Sequence, residues 1–575
     1  MKKTLLAYTL SVSLLLTSCG DGSDGSDGAL GAVGTAGSNG APGVDGVNAL
    51  NGHLQQISRY QSGIFDDGGA EIIAFDRASN KLFVVNSGAS TIDVLDMREP
   101  SEPSKLTTLN VADQDSASFT SGGANSVAVN NGLLAVAVAA DNKQATGRIY
   151  LYDTNDNTFV AAFVAGALPD MVAFSTDGHY LLSANEGEPS SDYSNDPEGS
   201  ITVVDLSAGV AAAVVRQASF AAFNASASDL IDAGVRITGP GASVAMDLEP
   251  EYIAIGHDNR TAYITLQENN AMALLDLATA TVTDIVPLGY KDHSLQGAGL
   301  DGNKNDKYAT ILNQPIFGMY MPDSIAAYAF NGKTYLVTAN EGDGREYIYD
   351  TDSSSCNIAG HTDLGDGECL AYTDESALED LNLDTNEFTA DQIAELQDGS
   401  GWGDLTVSSA TGDSDNDGAF EGIYAFGARS FSIWDDAGQL VFDSGDQIEQ
   451  IIADQSPLFF NLSNDKNSTD NRSDNKGPEP EGLAIGTVGD RSYAFIGLER
   501  QGGIMVFDVS NPFAPAFVQY TTNRDLSVSP GEGVDAGDLG PEGMVFISAE
   551  NSPNGSALLV VGNEVSGTTT TYRVQ

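Results

Sequence analysis

The sequence predicts an all-β chain, a seven-bladed β-propeller with a long insertion in blade five. Two observations carry this. An acidic or amide residue stands before an apolar strand at seven places, Glu71, Asn125, Asp170, Glu251, Asp323, Glu481 and Glu542. Each is followed by further short apolar runs separated by polar turns, the spacing of an all-β fold. Second strands are expected at 81–86, 133–139, 180–185, 262–266, 334–340, 492–498 and 557–563. Third strands, most ending in Asp, are expected at 91–96, 147–153, 200–205, 271–276, 430–435, 503–508 and 568–574. A weaker fourth run follows in most units, as at 159–164 and 282–288. The last unit reaches only a third strand. The lone run at 54–60 is expected to complete it, which ties the two ends and removes an exposed edge.

The elements before the propeller are read differently. Lys2 and Lys3 precede an apolar run from Leu5 to Leu16, and Leu16-Thr17-Ser18-Cys19 has the form of a bacterial lipobox. Residues 1–18 are therefore read as a lipoprotein signal peptide, with lipidation at Cys19. No Asp directly follows Cys19, so a cell with two membranes would send the protein to its outer membrane or surface. Glycine then recurs at every third position from Gly22 to Gly46, the collagen period. Pro42 is the single proline of that run, so a flexible collagen-like spacer over 19–52 is favoured over a triple helix. Residues 53–575 form the propeller.

Within it, about 207–246 and 289–321 are long connections. Residues 345–421 are the insertion, with a short helix at 389–397 opened by the capping box Thr389-Ala390-Asp391-Gln392. Cys356 and Cys369 lie in this insertion, and in an exported protein they are expected to pair as a disulfide.

The net charge of −56 fits a solvated surface or one that collects cations. It excludes nucleic acid, whose phosphates recruit Lys and Arg. In a propeller the residues before strand one and those just after strand two meet at one mouth of the central channel. Glu186, Glu268, Glu341, Glu499 and Glu564 thereby join the seven positions above. Carboxylates packed so closely repel and need neutralising. Hard cations do this through oxygen ligands, which points to Ca²⁺, with Mg²⁺ as the alternative. Histidine is nearly absent from these positions, which argues against Zn²⁺ and Cu²⁺. The structural alternative is that some of these glutamates accept backbone N–H bonds and stitch blades together. Glu186, Glu251, Glu341, Glu481, Glu499, Glu542 and Glu564 are the candidate ligands. Glu479, two residues before Glu481, is a competing one. A second candidate is Asp413-Ser414-Asp415-Asn416-Asp417-Gly418, with Glu421 after it. Asp413, Asp415 and Asp417 alternate as in the first half of a calcium loop, but residue 424 is Tyr where such a loop has Glu. Arg345, Arg429, Arg500 and Arg524 are read as balancing the acids. No nucleophilic elbow or triad spacing appears.

Several segments resemble one family: Ala184-Asn185-Glu186-Gly187, Thr338 to Asp343, Phe426 to Trp434, Lys476 to Gly482, Gly497 to Arg500, Gly540 to Gly543 and Asn563 to Gly567. Over about 54–575 the chain is similar to the choice-of-anchor I domain family. The resemblance implies a bacterial surface propeller with interchangeable anchors, related to mesenchyme-specific cell-surface glycoproteins. Members are often labelled alkaline phosphatase. The function expected is thus a lipid-anchored, cation-binding surface propeller whose partners are divalent cations. The alternative is a Ca²⁺-dependent phosphomonoesterase acting on a phosphoester.

Overall fold

The computed structural model describes residues 52–531 and 533–575. The leader, Cys19 and the glycine run from Gly22 to Gly46 lie outside the described residues.

Seven four-stranded antiparallel sheets follow one another along the chain. Their first strands are Ile73–Asp76, Ser121–Asn130, Pro169–Phe174, Ile253–Ile255, Ile325–Phe330, Pro480–Val488 and Pro541–Ile547. Each first strand contacts the first strand of the next sheet, and the last contacts the first, so the inner strands surround one axis. The fold is a β-propeller. Second and third strands are mostly buried on both faces, as Leu134 to Val138 and Phe495 to Leu498 show, because neighbouring sheets cover them from either side. Fourth strands such as Ser104–Asn110 face water and read as mixed sequence. The strand Leu54–Gln61 pairs antiparallel with Thr568–Val574, from Leu54 opposite Val574 to Gln61 opposite Thr568. The end-to-end closure expected from the sequence is present.

The insertion is more ordered than its sequence announces. Between the second and third strands of the fifth sheet, Glu346–Asp350, Thr362–Gly365 and Glu368–Thr373 form a small three-stranded sheet. Cys356 and Cys369 are joined across it with Cα atoms 5.8 Å apart. A mixed five-stranded sheet joins Glu375–Ala377, Thr406–Ser408 and Tyr424–Ala425 to Tyr290–Asp292 and Phe317–Met319 from the preceding connection. Leu300, Ile316, Leu378, Phe388, Trp402 and Ile423 give this region its own apolar cluster. The helix Ala390–Leu396 carries the expected capping box, Thr389 with Gln392.

Candidate metal centre

The mouth carboxylates are placed by a defect in strand pairing. The sequence suggests strands that begin after the acid. Three begin instead at the proline just before the acid: Pro169 pairs with Asn185, Pro480 with Leu498 and Pro541 with Asn563. The register then slips, leaving Asp170-Met171, Glu481-Gly482 and Glu542-Gly543 as β-bulges. Asn125 sits at a similar slip. A bulge re-aims the side chain that occupies it. The glycines after the acids are needed for packing between sheets. A Cβ on Gly482 would lie 2.1 Å from the carbonyl oxygen of Glu542, and one on Gly543 would lie 2.4 Å from that of Glu71.

The acids after strand two are held by a recurrent asparagine. The buried Asn185 donates through Nδ2 to the Ser200 carbonyl at 3.0 Å and to Thr202 Oγ1 at 3.0 Å. Asn340 donates to Ser430 Oγ and Ser432 Oγ, and Asn563 to Thr568. Each asparagine clips strand two to strand three, so that Glu186, Glu341 and Glu564 emerge at the same level. The Asn-Glu pairs in the sequence mark this clip.

Three carboxylate triads result: Glu71, Glu542 and Glu564; Asp170, Glu186 and Glu251; and Asp323, Glu341 and Glu481. In each, one oxygen per residue lies within 4.8 Å of the others. Every triad draws on more than one sheet. A cavity of about 360 Å³ opens among them, lined by Glu71, Asp170, Glu186, Asp323 and Glu542 together with Ser87, Lys143, Glu188 and Tyr252. Ser87, Lys143, Glu188 and Tyr252 are additions to the residues singled out from the sequence. Ser87 and Glu188 follow second strands, so the repeat register could have found them.

Burial and mutual repulsion push these groups toward the neutral form. Burial, then Glu564 and Asp170, raise Glu71 to about 7 against a hydrogen bond from Ser87. Burial and Glu188 raise Asp170 to about 6. Burial raises Glu268 to about 7, opposed by Arg345. Glu481 is pushed well above the carboxylate range by burial and then by Glu499, Glu341, Asp323 and Glu542. Among the described residues, Glu268 Oε2, Glu481 Oε2 and Glu542 Oε2 are buried without a hydrogen-bond donor. An unpaired buried carboxylate oxygen costs several kcal/mol in order of magnitude. The set therefore calls for protons or cations, and its all-oxygen donors suit hard cations.

Glu479 behaves in the opposite way. It is fully buried and meets Arg472 at 2.6 Å, Arg500 at 3.3 Å and Lys476 at 3.6 Å. Burial alone would raise it, but Lys476, Arg472 and Arg500 together hold it below the usual range. Lys476 also reaches Glu341 at 2.6 Å and Asp343 at 2.8 Å. Glu499, grouped with Glu341 and Glu479, pairs with Arg500 at 3.1 Å. Glu479 is thus already compensated, and Glu481 holds the unpaired oxygen. Of the other arginines, Arg345 pairs with Asp247 and Glu249, and Arg429 with Glu449. Arg524 departs from the expected role: its guanidinium donates to the carbonyls of Arg500, Gln501, Ser463 and Lys466.

Asp413, Asp415, Asp417 and Glu421 also come within 4.8 Å of one another. Here the donors are local. Asp413 accepts from the backbone N–H of Asp417 and Gly418, Asp417 from that of Ala419, and Glu421 from Ser414 N and Oγ.

The model of the choice-of-anchor I domain matches residues 71–512. The chain belongs to that family. It is 31% identical over 195 residues to Gigasin-3a of Magallana gigas, a match covering 32% of this chain and 68% of that protein. It is 29% identical over 280 residues to the mesenchyme-specific cell surface glycoprotein of Strongylocentrotus purpuratus, covering 46% of this chain but 35% of that protein. Among solved structures, Kuenenia stuttgartiensis hydrazine synthase aligns with a TM-score of 0.42 at 12% identity, covering 89% of this chain and 97% of that one. The β-propeller domain of Cps50 (Swd1) from Myceliophteria thermophila aligns at 0.41 and 9% identity, covering 91% and 100%.

Proposed function

We propose that this choice-of-anchor I protein is a cell-surface, seven-bladed propeller that binds divalent cations, Ca²⁺ first, at the acidic mouth of its channel. Each four-stranded sheet is read as one blade, and Cys19 as the lipidated anchor that holds the propeller to the envelope. The surface location is supported by the family and by the name of the Strongylocentrotus purpuratus relative. The observation that carries the cation reading is the three triads with buried, donorless oxygens on Glu481 and Glu542. Asp323 and Glu481 would hold one ion, Glu71, Glu542 and Glu564 a second, and Asp170, Glu186 and Glu251 a third. The loop with Asp413, Asp415 and Asp417 is a weaker candidate, because its oxygens already have donors.

Calorimetric titration of the chelator-treated protein with CaCl₂ tests this. Saturable binding is expected, weakened at least tenfold by Glu481→Gln and by Asp323→Asn. A hundredfold excess of free Ca²⁺ over Kd should add about 2.7 kcal/mol of stability. Absence of both binding and any effect of chelator on melting would overturn the proposal. Phosphomonoester hydrolysis is the second reading. It is favoured by Lys143, a cation lining the cavity beside Asp170 and Glu188, where an oxyanion could sit. Turnover of p-nitrophenyl phosphate that needs Ca²⁺ and is lost in Lys143→Met would select it over simple cation binding.

A further inference from the structure

A second cavity, of about 770 Å³, lies at the other end of the ring. It is formed where first strands end and turn into second strands, at Phe75 to Ala78, Val129 to Gly132, Thr176 and Val545 to Ile547. Its volume falls within the roughly 300–1,000 Å³ of small-molecule sites.

Its chemistry differs from that of the rest of the protein. On a chain of net charge −56 the only charged side chains lining it, among the described residues, are Asp76 and Arg77. Both are engaged. Asp76 is buried and accepts from the N–H and hydroxyl of Ser79, and Arg77 donates to Asn551 Oδ1 at 2.9 Å. The remaining polar groups are mostly amides, three of them tied at one end. Asn130 donates through Nδ2 to the Ser175 carbonyl at 2.9 Å, which leaves Oδ1. Asn155 donates to Asp153 at 3.0 Å, again leaving Oδ1. Asn551 accepts from Arg77, which leaves Nδ2. Asn131 stands in a left-handed turn with φ 50°, and its side chain makes no hydrogen bond among the described residues. The partly exposed rings of Phe75 and Phe546 complete the wall.

We propose that this cavity binds a neutral saccharide. A sugar hydroxyl donates and accepts at once, and so do amides fixed at one end with an acceptor or a donor left over. The C–H face of a pyranose is apolar and packs on aromatic rings. The near-neutral lining sets no demand for a charged ligand. The site is independent of the cation-binding mouth, since it uses none of the mouth carboxylates.

Saturation-transfer NMR on the purified protein tests this with glucose, galactose, mannose, N-acetylglucosamine and their β-linked disaccharides as probes. Transfer to at least one probe is expected, unchanged by EDTA. Asn131→Gly preserves the left-handed turn and removes the amide; it should weaken binding at least fivefold. Asn155→Ala, at an exposed position, should do the same and serves if the first variant melts early. No transfer to any of these probes, transfer that survives both substitutions, or loss on adding EDTA would each overturn the proposal.

Discussion

Acidic side chains gather both at the propeller mouth and in the loop 413–421, and the two places satisfy them in different ways. The loop is exposed, and its carboxylates turn inward onto N–H groups a few residues away, as Asp413 does with Asp417 and Gly418. Such a turn needs nothing further. At the mouth, the acids come from different sheets. Part of this deficit is met by Lys476, Arg472 and Arg500 around Glu479. The part around Glu481 and Glu542 is left without a donor. Carboxylates equally close together thus differ in their supply of donors.

The largest effect is expected from removing the internal cation. Lys476→Met leaves Glu341 and Glu479 buried with one fewer positive partner. Breaking a buried pair from one side costs about 3–5 kcal/mol. Because Glu341 then loses its positive partner while it still lies beside Glu479 and Glu499, Ca²⁺ should recover more stability in this variant than in the parent. Urea unfolding with and without Ca²⁺ measures both quantities. Equal gains in the two proteins would show that the satisfied and unsatisfied halves of the mouth are not separate.

A smaller effect follows from pH. Glu71 and Glu268 rise to about 7 and Asp170 to about 6, from ordinary values of 4.5 and 3.8. Between about pH 4 and 7 the folded, cation-free protein then binds more protons than the unfolded chain. Stability falls as pH rises through a window where the unfolded state holds fewer protons. In EDTA the urea midpoint should therefore drop from pH 5 to pH 7. In Ca²⁺ the drop should disappear, because the ion replaces the protons. A midpoint in EDTA that rises over this window would contradict the mouth described above.

Much of this was legible in the sequence, for physical reasons that also explain the rest. Strands such as 81–86 and 430–435 stand out because apolar runs alternate with polar turns at a regular spacing. The mouth acids were legible because the repeat register puts Glu71, Glu251 and Glu542 at one level. The bulges were not, since a slip at Glu481-Gly482 depends on pairing with a strand about fifteen residues away. The balance of charge was not legible either: Glu479 and Glu481 look alike in sequence, and only packing brings Arg472 and Lys476 to one of them. In the insertion, Tyr424–Ala425 pairs in parallel with Phe317–Gly318, a contact that no local pattern announces.

The smallest effect belongs to the loop. Asp415 is raised mainly by its neighbour Asp417, so replacing it with asparagine relieves a repulsion at an exposed site. Exposed substitutions of this kind usually change stability little. Asp415→Asn should therefore leave the urea midpoint almost unchanged in EDTA, where Asp413 and Glu421 keep their backbone donors. It should also leave the calcium gain unchanged, if that gain arises at Glu481 and its partners. A variant that loses a large share of the calcium gain would move the principal site from the mouth to the loop. The comparison would then reverse: self-satisfied carboxylates would be the ones that give up their N–H bonds to take the ion.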